Sequence, residues 1–494
     1  MTHAGQRVPE SSLLSPNRMG ISKAKPIAAF GPNLAKDEGA AIPAMTIRRG
    51  TASRLVLFMV AIFCASDQSA AQDARVGKYN GPGGCASSSC HGSIQPKQVT
   101  RVAQNEYSIW ASQDKHARAF QVLSNSVSLR IAKILNLGRP NREPKCLACH
   151  ALSVAPGERA ESFELNDGVS CESCHGPASG WLGPHTVKDW PHERSVQELG
   201  MIDLRDIAVR SHICLHCHLG TAEKFVDHQM IAAGHPDLTF ELNLFSAVMP
   251  RHWKDSKEVP GAAWSGTKEW AVGQSMQLRD SLARLARRAR SATWPEYAEY
   301  DCFACHHSLT KPEDSWRLTS DSYYGNRKSG VPAWNASRYV AFRYAAKEAD
   351  AATASQLETD ISMLAGLMAQ LNGDREQIAA TAERAEGLAR TLSHELDARS
   401  YDRAFTLQVM RGIAGDSRAI SEQGQRAAEQ AAMTLDSLFV SYKQNGSVPN
   451  ETELRAGINQ LFQQLDNPSA YNAPRFAAQM QKVSALLTRE TTKP

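Results

Sequence analysis

No cysteine follows Cys305, and only one precedes Cys85. Ten of the eleven cysteines therefore fall within Cys85–Cys305. That distribution argues against a disulfide framework for the C-terminal third. Charge of one sign is also lacking: 55 Lys and Arg stand against 51 Asp and Glu, a net charge of +4. No basic stripe stands out, so nucleic acid is not an expected partner. Long hydrophobic runs are missing as well. The longest, Leu55–Ala65, is shorter than the roughly 20 residues that a membrane-spanning helix needs. Aromatic content is 7%. At 494 residues the chain is too long for one ordinary core, and more than one domain is expected.

The sixteen histidines follow the cysteines. Only His3 and His394 lie outside His91–His307. Two residue types that make covalent and coordinate bonds share one region, the footprint of a metal or cofactor domain.

Met45 opens a secretory signal pattern. Arg48, Arg49 and Arg54 form a positive start, Leu55–Ala65 an apolar stretch, and Ser69-Ala70-Ala71 a small-residue cleavage site. Residues 45–71 are thus expected to be a signal peptide, with Cys64 inside the removed segment. Residues 1–44 are rich in Pro, Gly and Ala without periodicity. They are read as a start placed too early or as a disordered extension.

Four motifs read Cys-x-x-Cys-His: Cys146/Cys149/His150, Cys171/Cys174/His175, Cys214/Cys217/His218 and Cys302/Cys305/His306. A fifth, Cys85/Cys90/His91, holds four residues between its cysteines. Each thiol of such a motif adds to one vinyl group of a heme. The next histidine then falls under the ring, where it ligates iron. Two extra residues can loop out without moving the histidine. Zinc binding and disulfides are the competing readings. Neither accounts for a histidine directly after the second cysteine in all five cases. Five covalently bound c-type hemes, with their iron, are expected.

Further histidines can supply the sixth iron ligand. His116, His185 and His235 sit in the most distinctive contexts, Asp-Lys-His, Gly-Pro-His and Ala-Gly-His-Pro; His228 and His252 come next. His216 and His307 adjoin proximal sites and are set aside. Methionine ligation by Met201, Met230 or Met249 is less favoured. A heme with two histidine ligands has a low potential and no open position.

The order of motifs resembles the tetraheme cytochrome c-554 family over roughly residues 80–220. The resemblance is carried by the first motif, Trp110 followed by His116, Lys145–His150, Gly168–Pro177 leading to His185, and the motif ending at His218. It implies that His116 caps the heme held by His175 and that His185 caps the heme held by His218. A later histidine, His228, His235 or His252, then caps the first heme. The heme on His150 is left five-coordinate. The longer first motif, the Cys302 motif and the C-terminal part are departures from the family pattern.

The expected fold is mainly α. Residues 73–335 form a heme-packed cytochrome domain of short helices and loops. Residues 336–494 form an antiparallel helical bundle, with apolar residues at helical spacing: Leu357, Ile361, Leu364 and Met368, then Leu454, Ile458, Leu461 and Leu465. Gly373-Asp374, Asn445-Gly446 and Asn467-Pro468 read as helix stops. Between the two, Trp316, Tyr323, Tyr324 and Trp334 read as interdomain packing. Arg284, Arg287, Arg288 and Arg290 either neutralise heme propionates or form a solvated helix face. The functional expectation is periplasmic electron transfer between periplasmic or membrane-bound redox proteins, without a transmembrane anchor once the signal is removed. Dimerisation through the helical domain stays open. The rival reading is an oxidoreductase acting on a small nitrogen or sulfur compound at an open heme. No Cys-x-x-Cys-Lys motif gives it a catalytic signature.

Overall fold

The computed structural model describes residues 77–100, 102–253, 263–302, 305–306, 332–370 and 372–489. The signal segment, Trp316, Tyr323, Tyr324 and His307 lie outside these described residues. The fold is mainly α. Among the described residues there is no strand beyond two isolated bridges, Tyr79 with Arg159 and Tyr300 with Trp334.

The N-terminal half is built from short pieces. Helices Glu106–Gln113, Pro144–His150, Cys171–His175 and Ile207–His218 alternate with 3-10 turns and loops. Its apolar packing is thin: Leu123, Leu147 and Ala151 make a small cluster of their own. Two glycines make the tight path around the third motif possible. Gly168 and Gly176 both have positive φ, and a Cβ on Gly176 would stand 2.6 Å from the Gly200 carbonyl. The chain can therefore turn sharply away directly after His175.

The C-terminal half holds a conventional core. Helices Ala351–Met368, Arg375–Ala398, Arg403–Gly415, Gln425–Gln444, Glu451–Gln463 and Ala473–Thr488 begin after the capping or turn residues that the sequence offers. Asp374 caps the amides of Glu376 and Gln377, and Asp402 caps Phe405. In Arg375–Ala398, the fully buried Ala379, Ala382, Ala385 and Ala389 lie on one side. Small side chains there let it lie close against Ser265–Ala289, on which it packs. That 25-residue helix carries Trp270, Leu278, Leu282 and Leu285, all fully buried. One continuous apolar core runs from Leu215 to Leu487. The helix Ser265–Ala289 thus belongs to the C-terminal core while its far flank meets the helix that ends at His218.

The arginines on this helix separate by position. Arg288 is buried and paired with Glu296, and Arg284 is paired with Glu299. Arg290 is exposed and reaches Glu376 and Glu383 on the next packed helix.

Candidate heme sites

The described motifs place cysteine and histidine on tight helical turns. Pro144–His150 and Cys171–His175 are single short helices, and Cys214–His218 ends a longer one. In the last motif the His306 amide donates to the Cys302 carbonyl at 2.8 Å. The first motif closes the same way despite its longer spacer: the His91 amide donates to the Cys85 carbonyl at 3.2 Å. The extra residues fold into a turn, with the Cys90 and Gly92 amides both donating to the Ser87 carbonyl at 2.9 Å.

Four of the five motif histidines each lie beside a second histidine. The ring centres stand 6.2 Å apart for His91 and His185, 6.2 Å for His116 and His218, 6.4 Å for His150 and His235, and 6.1 Å for His228 and His306. A metal–imidazole bond is about 2.0–2.1 Å, so two rings holding one iron from opposite sides stand about 6 Å apart. The donor set fits heme iron on that measure.

The outer nitrogens support the same use. Nδ1 of His91 meets Glu106 at 2.9 Å and Nδ1 of His116 meets Asp114 at 3.0 Å. For His150, His185, His235 and His252, Nδ1 donates to the carbonyls of Ala119, Trp181, Pro236 and Pro250. A bond at Nδ1 leaves Nε2 with its lone pair for a metal and fixes the ring direction. Burial pushes His175 and His218 down to about 4 and also lowers His150, which keeps these rings neutral as ligands must be. The Glu106 and Asp114 hydrogen bonds raise His91 and His116.

The histidines meet in other pairs than the family resemblance implies. His116 faces His218, not His175; His185 faces His91, not His218; and His235 stands opposite His150. The segment before His185 explains one change. Lys78 and Ser179 exchange bonds, Lys78 N to Ser179 Oγ at 2.6 Å and Ser179 N to the Lys78 carbonyl at 3.1 Å. This ties residues 177–185 to the first motif. His116 is anchored by its carbonyl, which accepts the Val169 amide at 3.1 Å. His175 has no ring partner at that spacing among the described residues; His252 and His192 bear on it electrostatically. His212 and His216 close on each other instead, with Nε2 atoms 3.1 Å apart.

Cysteines of different motifs also meet. Cys85 lies close enough to Cys171, Cys149 to Cys217, and Cys174 to Cys214 and Cys217, for each to influence the other's ionisation. None of the ten described motif cysteines is in a disulfide.

Sequence reasoning passed over three kinds of residue. Glu106 orients His91 from fifteen positions away, and nothing in the spacing marks it. Asp114, two residues before His116, was open to notice as a neighbouring acceptor. Glu172, inside the third motif, is buried at 2% exposure and accepts three backbone amides.

A sequence-family model for cytochrome c554 and c-prime matches residues 85–176. No curated protein and no solved structure matches the chain. The matched stretch carries the first three Cys/His motifs and supports a c-type cytochrome with covalently bound heme c in electron transfer. No helix among the described residues is long and apolar enough to cross a membrane.

Proposed function

We propose that this chain is an exported pentaheme c-type cytochrome that relays electrons between redox proteins in the periplasm. The observation that carries the reading is the set of four histidine pairs, each joining the histidine of an attachment motif to a second ring at 6.1–6.4 Å. Heme iron held between two histidines exchanges single electrons and offers no position to a substrate.

The chain's own residues then have defined tasks. The ten motif cysteines hold the cofactors. His91, His150, His175, His218 and His306 are the proximal ligands. His185, His235, His116 and His228 cap the first, second, fourth and fifth irons. His252, with Nδ1 turned to Pro250, is assigned to the third iron on His175. Glu106, Asp114 and the backbone carbonyls hold the rings in place and set their basicity.

The motifs form a continuous string. The first lies near the third, the third near the fourth, and the fourth near the second, as the electrostatic influence between Cys85 and Cys171, Cys174 and Cys214, and Cys149 and Cys217 indicates. The second and fifth are joined by one short stretch that bears both His228 and His235. The order in space, first, third, fourth, second, fifth, differs from the order in sequence. Export is supported by the signal pattern at residues 45–71.

The open-heme reading rested on His150, and His235 stands opposite that ring. Electron paramagnetic resonance of the oxidised protein tests the choice. Low-spin signals alone are expected. A high-spin component that changes on adding nitrite, hydroxylamine or nitric oxide would make the protein an oxidoreductase instead.

A further inference from the structure

Two histidines outside the four ring pairs share one face of the helix Ile207–His218. His212 and His216 are four residues apart, so one helical turn sets them side by side. Their Nε2 atoms stand 3.1 Å apart, with the ring centres 4.4 Å apart and the ring planes at 68°. A straight N–H···N bond of that length would put the ring centres about 5.4 Å apart, because both nitrogens then lie on the line between them. The rings are instead tipped, so both nitrogens aim at a point beside that line. An ion about 2.05 Å from each would see the two nitrogens at about 100°, near the tetrahedral angle, and would hold the ring centres about 4.8 Å apart.

The outer nitrogen of His212 is already engaged. Nδ1 meets the Asp280 carboxylate at 2.7 Å, which leaves the lone pair on Nε2. Arg279 lies on Asp280 through Nε at 2.8 Å and a terminal nitrogen at 2.6 Å, so the carboxylate is held and its charge matched. The Arg279 terminal nitrogen also approaches Nδ1 of His212 at 3.0 Å, but the shorter contact to the carboxylate takes the Nδ1 proton. The His212 side chain is 44% exposed, so an ion from solution can reach the pair. Among the described residues no third His, Cys, Asp or Glu completes the set, so the other positions on such an ion go to water.

We propose that His212 and His216 form a surface site for one divalent late transition-metal ion, of the zinc, copper and nickel class that imidazole suits. Asp280 is its positioning residue. Mg²⁺ and Ca²⁺, which take oxygen ligands, do not suit it. On binding, the proton between the two Nε2 atoms moves to Nδ1 of His216 and the ion takes its place; no electron is transferred. His216 sits between Cys214 and Cys217, so the ion is bound beside the fourth attachment motif. A divalent cation there opposes the ferric form of the heme on His218 and raises its potential. The ion site does not depend on the heme count; its effect on that heme rests on the cytochrome reading.

The test titrates Zn²⁺ into the full-length exported holoprotein, with binding read by calorimetry and heme potentials by redox titration with and without the ion. Hemes are counted in every variant. One Zn²⁺ per chain is expected, with no matching signal for Ca²⁺. His212→Ala and His216→Ala should each abolish it, and Asp280→Asn should weaken it by about 10–100-fold. Should His216→Ala fail to accumulate, His212→Ala carries the test, since it lies outside the motif. Cu²⁺ in place of Zn²⁺ should show two imidazole nitrogens by electron paramagnetic resonance. With Zn²⁺, one heme component should move to higher potential in the wild type and in neither alanine variant. No Zn²⁺ bound by the wild type, or one that survives both alanine substitutions, overturns the site. Bound Zn²⁺ with every potential unmoved overturns the effect on the heme and leaves the ion site standing. A colourless chain that still binds Zn²⁺ through His212 and His216 strikes the cytochrome reading alone.

Discussion

The Glu172 carboxylate accepts the Gly81 backbone amide at 2.7 Å, tying the third attachment motif to the loop that opens the first. The same side chain accepts the Asn80 amide at 3.0 Å and the Ala178 amide at 2.7 Å. One buried residue thus sets the spacing between two motifs that are far apart in sequence.

Replacing it tests that role. Charge-assisted bonds to buried amides are worth about 1.5–3 kcal/mol each, and unpaired buried donors add cost. Glu172→Ala is expected to destabilise the protein by about 3 kcal/mol or more, read by thermal unfolding of the holoprotein. A change within error would show that the three amides find other acceptors.

His228 and His306 can ligate one iron together only if the last motif holds heme. His228→Ala should convert one heme from low-spin to high-spin and leave the others unchanged in the resonance spectrum. The His228 backbone is held independently by Glu296, which accepts its amide at 2.9 Å, so the helix start should survive. An unaltered spectrum would remove His228 from the ligand set.

Glu241 gives a pH dependence with a defined sign. It is fully buried, and burial lifts its carboxyl to about 8, against about 4.3 for an ordinary Glu. Between these values the native chain keeps a proton that the unfolded chain has released. Its contribution to stability is therefore complete at low pH and falls as pH rises through about 8. Glu241→Gln should flatten that part of the stability–pH profile. Equal slopes in wild type and variant would contradict the assignment.

Arg288 lies in the helix Ser265–Ala289 and Arg290 just past its end, and the two should respond differently to removal. Arg288 is 4% exposed and pairs with Glu296 at 3.1 Å, so Arg288→Ala strands a buried carboxylate and should cost about 3–5 kcal/mol. Arg290 reaches Glu376 and Glu383 at the surface, where solvent and salt screen the pairs. Arg290→Ala should leave the unfolding midpoint within experimental error.

How far the sequence could be read depended on the kind of signal. Cysteine and histidine spacing picks out the expected attachment residues directly, because the chemistry demands adjacency in the chain. Helical periodicity and stop residues such as Gly373-Asp374 locate the C-terminal helices, since those helices bury apolar stripes. Pairing of distal histidines was not legible. It depends on backbone straps such as Lys78–Ser179, whose partners are 101 residues apart. Arg284, Arg287, Arg288 and Arg290 left propionate neutralisation and a solvated helix face both open, and the full helix Ser265–Ala289 was not marked. Its buried face carries Gln274, Ser275 and Gln277 beside Trp270 and Leu278, polar residues that blur an apolar stripe. The arginines end in paired carboxylates on segments that sequence cannot bring together.

The number of covalent hemes per chain is the most direct test of a pentaheme cytochrome. A pyridine hemochrome assay on natively exported protein should return five, and four after Cys302 and Cys305 are both changed to alanine. A colourless wild-type chain, or a count that the double substitution leaves untouched, would contradict it.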